Sequence, residues 1–332
     1  MNIKDYSRKV LRELKTEKEL NALLSRLQIS QEELNSVLGY LETLGYEFNM
    51  RIEGDRVLIK ENQEKRSLPI KLPTKEELNV IHLAIVSDTH MGSNDEQLTL
   101  LEKFYDEVVA RGITEVYHVG DITDGNYIAF RQSQLYSAYR KGTSDYLYHI
   151  VDHYPRRDGV VTKVIAGNHD ATFMNNGGFD FLRTVADLRD DIINLGPDQA
   201  VVYLANGHIP MLLKHPDDGA SKGLSYKPQE LINSFEPSEK PKVALIGHYH
   251  KSYLAYYNGV YMMLVPCMVA QSGFMKRKNL KNVVGALFID IYYDKKYNIQ
   301  YFDYEEKRYT DQVIKDDYIN VLRKENKGRK AK

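Results

Sequence analysis

An α/β class, with two packed sheets and outer helices behind a small three-helix-and-hairpin domain, follows from three features of the chain. From Asn79 to Arg189, apolar runs of strand length alternate with helical patterns, and hairpins follow. Five apolar runs end in short polar sequences: SDTH (Ser87 to His90), GDITDG (Gly120 to Gly125), GNHD (Gly167 to Asp170), KHP (Lys214 to Pro216) and GHYH (Gly247 to His250). The first 60 residues follow a different, mainly helical pattern.

In that first segment, Asp5 to Leu14 and Glu17 to Leu27 carry apolar residues at helical spacing. Ser30-Gln-Glu-Glu33 is a capping box that opens a third helix, Gln31 to Leu44, stopped by Gly45. Glu47 to Lys60 then alternates about Glu-Gly-Asp, a hairpin signal. Three helices and a hairpin resemble a winged helix-turn-helix domain over residues 1–60. Its groove-facing helix would carry Glu32, Glu33 and Glu42 and no Lys or Arg, although phosphate contacts need cations. Residues 1–66 hold 12 basic and 12 acidic side chains, so the domain is neutral. Dimerisation or protein docking is the leading expectation. The basic first helix (Lys4, Arg8, Lys9, Arg12, Lys15) is the candidate for DNA binding.

The polar, proline-bearing segment 61–77 reads as a linker to a second domain at 78–305. There Ile81–Val86, Glu115–Val119 and Val160–Ala166 read as strands, and Gln97–Ala110 and Phe179–Arg189 as helices. Ala200–Leu204 and Ile209–Lys214 flank Asn206-Gly207; Tyr253–Tyr257 and Val260–Val265 flank Asn258-Gly259; both pairs read as hairpins. Val283–Tyr293 and Ile299–Tyr304 form a last pair. An extension, 306–332, ends in a basic tail, Arg323 to Lys332, expected to be disordered.

Composition is that of a soluble protein: 332 residues, 42% hydrophobic, 27% charged, net charge −1. That balance argues against nucleic-acid binding by bulk charge alone. A single cysteine, Cys267, rules out an intrachain disulfide framework. The charged start lacks the apolar core of a signal peptide, and no stretch reaches membrane-span length. The expectation is a cytoplasmic protein with no membrane partner.

Asp88 and His90 stand two apart and can aim at one ion from a strand exit. Asp121 follows a strand and a turn-permitting Gly120, and a carboxylate can bridge two cations about 3.5–4 Å apart. Asn168 offers a carbonyl oxygen; His215, His248 and His250 offer imidazoles. Mixed oxygen and nitrogen donors suit manganese, iron, zinc or nickel better than calcium.

The five motifs in this order resemble the calcineurin-like metallophosphoesterases, whose pattern is D-x-H, G-D-x-x-D, G-N-H-D, H and G-H-x-H, over residues 80–305. The resemblance implies a four-layer α/β/β/α sandwich and hydrolysis of a phosphate ester by metal-activated water. It implies that Asp88, His90 and His250 hold one divalent ion, that Asn168, His215 and His248 hold the other, and that Asp121 bridges. Manganese is the first expectation for the metal. His169 would touch substrate and stabilise charge or protonate the leaving oxygen. Asp170 would orient its ring, and Asp124 would bond from behind. Of the other histidines, His82, His118 and His208 read as packed or surface residues, and His149 and His153 stay open.

Substrate choice rests on Asn126–Gly159, where five basic residues against three acidic ones interleave with tyrosines. Arg131, Arg140 and Lys141 there, and Lys276 and Arg277 after Gly273, are the candidate substrate contacts. The leading expectation is a phosphodiesterase or nuclease acting on nucleic acid. A small-molecule nucleotide phosphodiesterase or phosphomonoesterase is the alternative, and a non-enzymatic DNA-binding or docking regulator the third. A homo-oligomer formed through the N-terminal domain is a further expectation.

Overall fold

The computed structural model describes residues 3–62, 73–126, 137–219 and 221–330, with side chains to residue 327. The chain divides into two compact units, Met1–Leu72 and Pro73–Lys332.

The first unit runs α1 (Ile3–Leu14), β1 (Lys18–Glu19), α2 (Leu20–Leu27), α3 (Gln31–Thr43), β2 (Glu47–Glu53), β3 (Arg56–Asn62). Val10, Leu14, Leu23, Leu34, Val37, Leu38, Leu41 and Ile59 form its core. Both bonds of the Ser30–Glu33 capping box are present. The expected helix from Glu17 begins later, because Lys18 and Glu19 pair with Ile59 and Leu58 as a short strand. The resulting sheet has the order β1-β3-β2.

The second unit opens on residues expected to be linker. Thr74 caps a single turn with Glu77, Lys75 pairs with Asp303, and Tyr301 donates to the Pro73 carbonyl. Its first sheet holds β4 (Asn79–Val86), β5 (Glu115–Val119), β6 (Val161–Ile165), β7 (Ile192–Gly196), β13 (Gly285–Tyr293) and β14 (Ile299–Arg308), in the order β14-β13-β4-β5-β6-β7. Its second holds β8 (Gln199–Leu204), β9 (Ile209–Lys214), β10 (Val243–Ile246), β11 (Tyr253–Tyr257) and β12 (Val260–Leu264), in the order β11-β12-β10-β9-β8.

Strand alternation assigns the layers. Leu83 and Ile85 face the second sheet and pack with Tyr117, Val119, Met211, Leu213 and Leu245. Ala84 and Val86 face the helices α4 (Leu98–Ala110), α5 (Thr143–His153), α6 (Ala171–Gly177) and α7 (Phe181–Leu188), among Leu101, Phe104, Ile150, Phe173 and Val185. Beyond the second sheet, Ile232 of α8 (Tyr226–Asn233) packs on Leu212, Ala244 and Met262. The succession is helix, sheet, sheet, helix.

Both Asn-Gly turns close hairpins: Leu204 pairs with Ile209, and Tyr257 with Val260. The basic end is helical rather than disordered, as α10 (Tyr318–Lys330). Asp317, just before it, accepts from Thr99 N (2.7 Å) and Thr99 Oγ1 (2.6 Å), capping α4 from 218 residues away. Gln97 and Ile314 exchange two bonds of 2.8 Å, and Val321 enters the main core.

Candidate metal centre

The five motifs leave the C-terminal ends of β4, β5 and β6 in one sheet and of β9 and β10 in the other. Each of those strands pairs in parallel within its sheet, so the exits gather along one edge of the sandwich. Close approach there depends on glycine. A Cβ on Gly120 would lie 2.3 Å from His215 Nδ1, one on Gly167 2.1 Å from Asp121 Oδ1, and one on Gly247 2.3 Å from the Val119 carbonyl. Asp88, His90, Asp121, His248 and His250 all take positive φ, between 42° and 74°. Side chains rarely adopt that region, and such strain concentrates at functional sites.

The donors converge in two groups with one shared atom. Asp88 Oδ1 lies 3.1 Å from His250 Nε2 and 3.9 Å from His90 Nε2, and the two imidazole nitrogens are 3.2 Å apart. Asp121 Oδ2 lies 3.8 Å from His90 Nε2 and 3.1 Å from His215 Nε2. On that second side, His248 Nδ1 lies 2.9 Å from Asn168 Oδ1.

Partners behind the cluster fix which atoms of Asp88, His215 and His248 face it. Asp88 Oδ2 accepts from Ser87 Oγ and His248 N, leaving Oδ1 toward the histidines. His215 Nδ1–H donates to the Val119 carbonyl (2.7 Å), leaving Nε2; His248 Nε2–H donates to the Asp218 carbonyl (2.8 Å), leaving Nδ1. Among the described residues, Asp88 Oδ1 and His215 Nε2 are buried without a hydrogen-bond partner. Orphaned, converging oxygen and nitrogen donors with outer bonds that set the tautomers fit divalent cations. Cys267 is buried with its Sγ near backbone carbonyls, and the donor set contains no thiolate.

The electrostatics agree with that arrangement. Burial opposes charge on Asp88, yet His250 and His215 hold its carboxyl well below the usual range. Burial likewise opposes charge on Asp121, and His215 and His169 hold it well down. Burial alone would lower His215; Asp121 and Asp88 instead raise it to about 9. Burial lowers His90, and burial with the neighbouring His215 lowers His248.

His169 stands at the same centre, its Nε2 4.0 Å from Asp121 Oδ2. Its orientation corrects the expectation from sequence. Asp170 accepts from Gly167 N, Ile122 N, Thr123 N and Thr123 Oγ1, so it joins two motif loops instead of holding the ring. Burial and Asp121 push its carboxyl up to about 6. The ring is held by Asp124, whose carbonyl accepts from His169 Nδ1 at 2.8 Å while its Oδ1 lies 3.3 Å from His90 Nδ1.

The candidate substrate cations divide. Arg131 lies outside the described residues. Arg140 is turned inward: it bonds Glu325, lies 3.4 Å from Asp145 Oδ1 and covers the Tyr139 ring. Lys141, Lys276 and Arg277 are exposed. The segment leading into α9 (Gly273–Arg277) is bonded to the first motif loop, through Met268 N to Ser87 O and Ala270 N to Asp95 O. Asp95, pushed up to about 6 chiefly by burial, feels both Lys276 and Asp124.

His82 pairs with Asp290 (2.7 Å), His118 is buried against Thr89, and His208 stacks on Tyr297. His149 is buried and bonded to Glu96 (2.9 Å), which also accepts from Gly92 N and Tyr139 Oη. His149, His153 and Glu325 form a second potential donor cluster. The Arg140 guanidinium already bonds Glu325 and approaches His149 Nδ1 to 3.4 Å, so a cation stands there. Asp218 and Glu96 carry no local sequence signal; each acts through a partner distant in the chain.

Among the described residues, no helix is long and apolar enough to cross a membrane. No curated protein matches the chain by sequence. Similar solved structures include an archaeal phosphodiesterase (12% identity, 68% of this chain and 99% of that one, TM-score 0.37). A predicted phosphoesterase from Streptococcus pneumoniae is 14% identical over 69% of this chain and 99% of that one, with TM-score 0.34. A single-substitution variant of Vps29 from Entamoeba histolytica is 11% identical over 69% of this chain and 99% of that one, with TM-score 0.37. Residues 81–280, more than half of the chain and all five motifs, match the calcineurin-like phosphoesterase superfamily domain, and the chain belongs to that superfamily.

Proposed function

We propose that the protein is a phosphodiesterase that works with two divalent cations, manganese first among them, and that its substrates are nucleic acids. The observation that carries the chemistry is Asp121 Oδ2, which faces both donor groups and the His169 Nε2. Asp88, His90 and His250 would hold one cation, and Asn168, His215 and His248 the other. Bound there, the cations would acidify water and offset charge on the phosphoryl oxygens. His169, its Nδ1–H tied to the Asp124 carbonyl, in its protonated form donates from Nε2 to the phosphoryl or leaving oxygen.

Two features support a polyanionic substrate. The exposed Lys276 and Arg277 follow a segment bonded to the Asp88 loop. The order helix, strand, two helices and hairpin in residues 3–62 supports a winged-helix reading of the first unit. A second reading, a small-molecule nucleotide phosphodiesterase or phosphomonoesterase, is favoured by Arg140, whose charge is answered within the fold by Glu325.

Purified protein with manganese should be offered bis-p-nitrophenyl phosphate, p-nitrophenyl phosphate, single-stranded DNA and duplex DNA. Cleavage of the diester and of DNA is the expected result. Monoester turnover alone favours the second reading, and no turnover with any divalent metal contradicts both.

A further inference from the structure

Among the described residues, strand β2 is an open edge of the N-terminal sheet, since the order is β1-β3-β2. Its register pairs Met50 with Ile59 and Ile52 with Val57, so Phe48, Met50 and Ile52 share the face of the buried Ile59. Phe48 packs on the domain core. Met50 and Ile52 run past it and are 55% and 79% exposed, with Tyr46, just before the strand, 36% exposed. An open edge with an apolar face is a template for another strand.

We propose that the occupant is β2 of a second copy of this chain, paired antiparallel about a two-fold axis at Asn49. Charge selects the register. A dyad at Met50 would oppose Glu47 with Glu53, and a dyad at Arg51 would oppose the two arginines. The dyad at Asn49 opposes Glu47 with Arg51 twice, Phe48 with Met50 twice and Tyr46 with Ile52 twice. Every exposed apolar residue of the strand then meets an apolar partner, and both Glu–Arg pairs are complementary. Glu17 already steadies Arg51 through bonds of 2.9 and 2.7 Å, which reduces the ordering needed on pairing. The contact is isologous and closes at two copies. It is independent of the chemistry at the metal centre.

Sedimentation velocity of the full chain tests the pairing. The wild type should sediment as a dimer; Ile52→Lys and Glu47→Arg should be monomers; the swap Glu47→Arg with Arg51→Glu should recover the dimer. Asn49→Cys, which meets its own copy across the dyad, should form a disulfide-linked dimer on mild oxidation, since the native Cys267 is buried. A monomeric wild type at all concentrations, whether or not DNA occupies the face, overturns the proposal. So does a dimer that survives Ile52→Lys. A dimer whose Asn49→Cys variant fails to cross-link overturns the register, and that measurement decides if the double swap fails to fold.

Discussion

Gly120, at φ 84°, turns the chain so that the Asp121 carboxylate and the His215 ring occupy neighbouring positions, with no room for a Cβ. Gly120→Ala would cost about 1–2 kcal/mol for the left-handed backbone, with displacement of the imidazole in addition. The expected outcome is a lower melting temperature together with weakened metal binding in calorimetry. His169→Ala should behave differently, because the ring is held from outside the donor set by Asp124: metal stoichiometry stays intact while kcat falls by about 10²–10⁴-fold. Equal metal loss in that variant would contradict its role. His215 adds a pH dependence. Its pKa is raised from 6.5 to about 9, so its contribution to the metal-free fold is complete below 6.5 and is lost as pH rises through 9. Metal ligation requires the neutral ring, so binding should expel a proton at pH below about 9, and affinity should climb with pH up to that value. Calorimetry in buffers of different ionisation enthalpy measures that proton directly.

Among the elements, the C-terminal helix shows most clearly what long-range partners add. Asp317 supplies the N-terminal cap of α4, a helix whose own leading residue, Gln97, makes no side-chain cap. Asp317→Ala should lower stability by about 0.5–2 kcal/mol, and hydrogen exchange should quicken in α10 and in the first turn of α4. Elements set by local chemistry were legible in the sequence: the Ser30 capping box, both Asn-Gly hairpins, and the apolar strands that precede each motif. Order in α10 was not, because Arg323 to Lys330 is polar and its anchors, Thr99 and Arg140, are distant in sequence. Lys18–Glu19 is a strand only because β3 offers a partner. At the site, the motifs bring Asp88, His90 and His250 into one cluster and Asp121, His215 and His248 into another, with Asn168 beside His248. The partner of each donor was less legible: Asp170 follows His169 directly in the chain, yet the folded loop turns it toward Thr123 and leaves the ring to Asp124.

For the molecule as a whole, two sheets packed face to face gather five parallel strand exits along one edge. Three come from one sheet and two from the other, so the proposed cation pair spans the sandwich, with Asp121 facing both donor groups. Loss of that carboxylate should therefore disable both halves together. The most direct test is titration of chelator-treated protein with manganese while hydrolysis of bis-p-nitrophenyl phosphate is followed. A two-cation site predicts no turnover without metal, a rate that saturates at two equivalents per chain, and an inert Asp121→Ala variant at every metal concentration. A rate that ignores added metal, or an Asp121→Ala variant as active as the wild type, would contradict it.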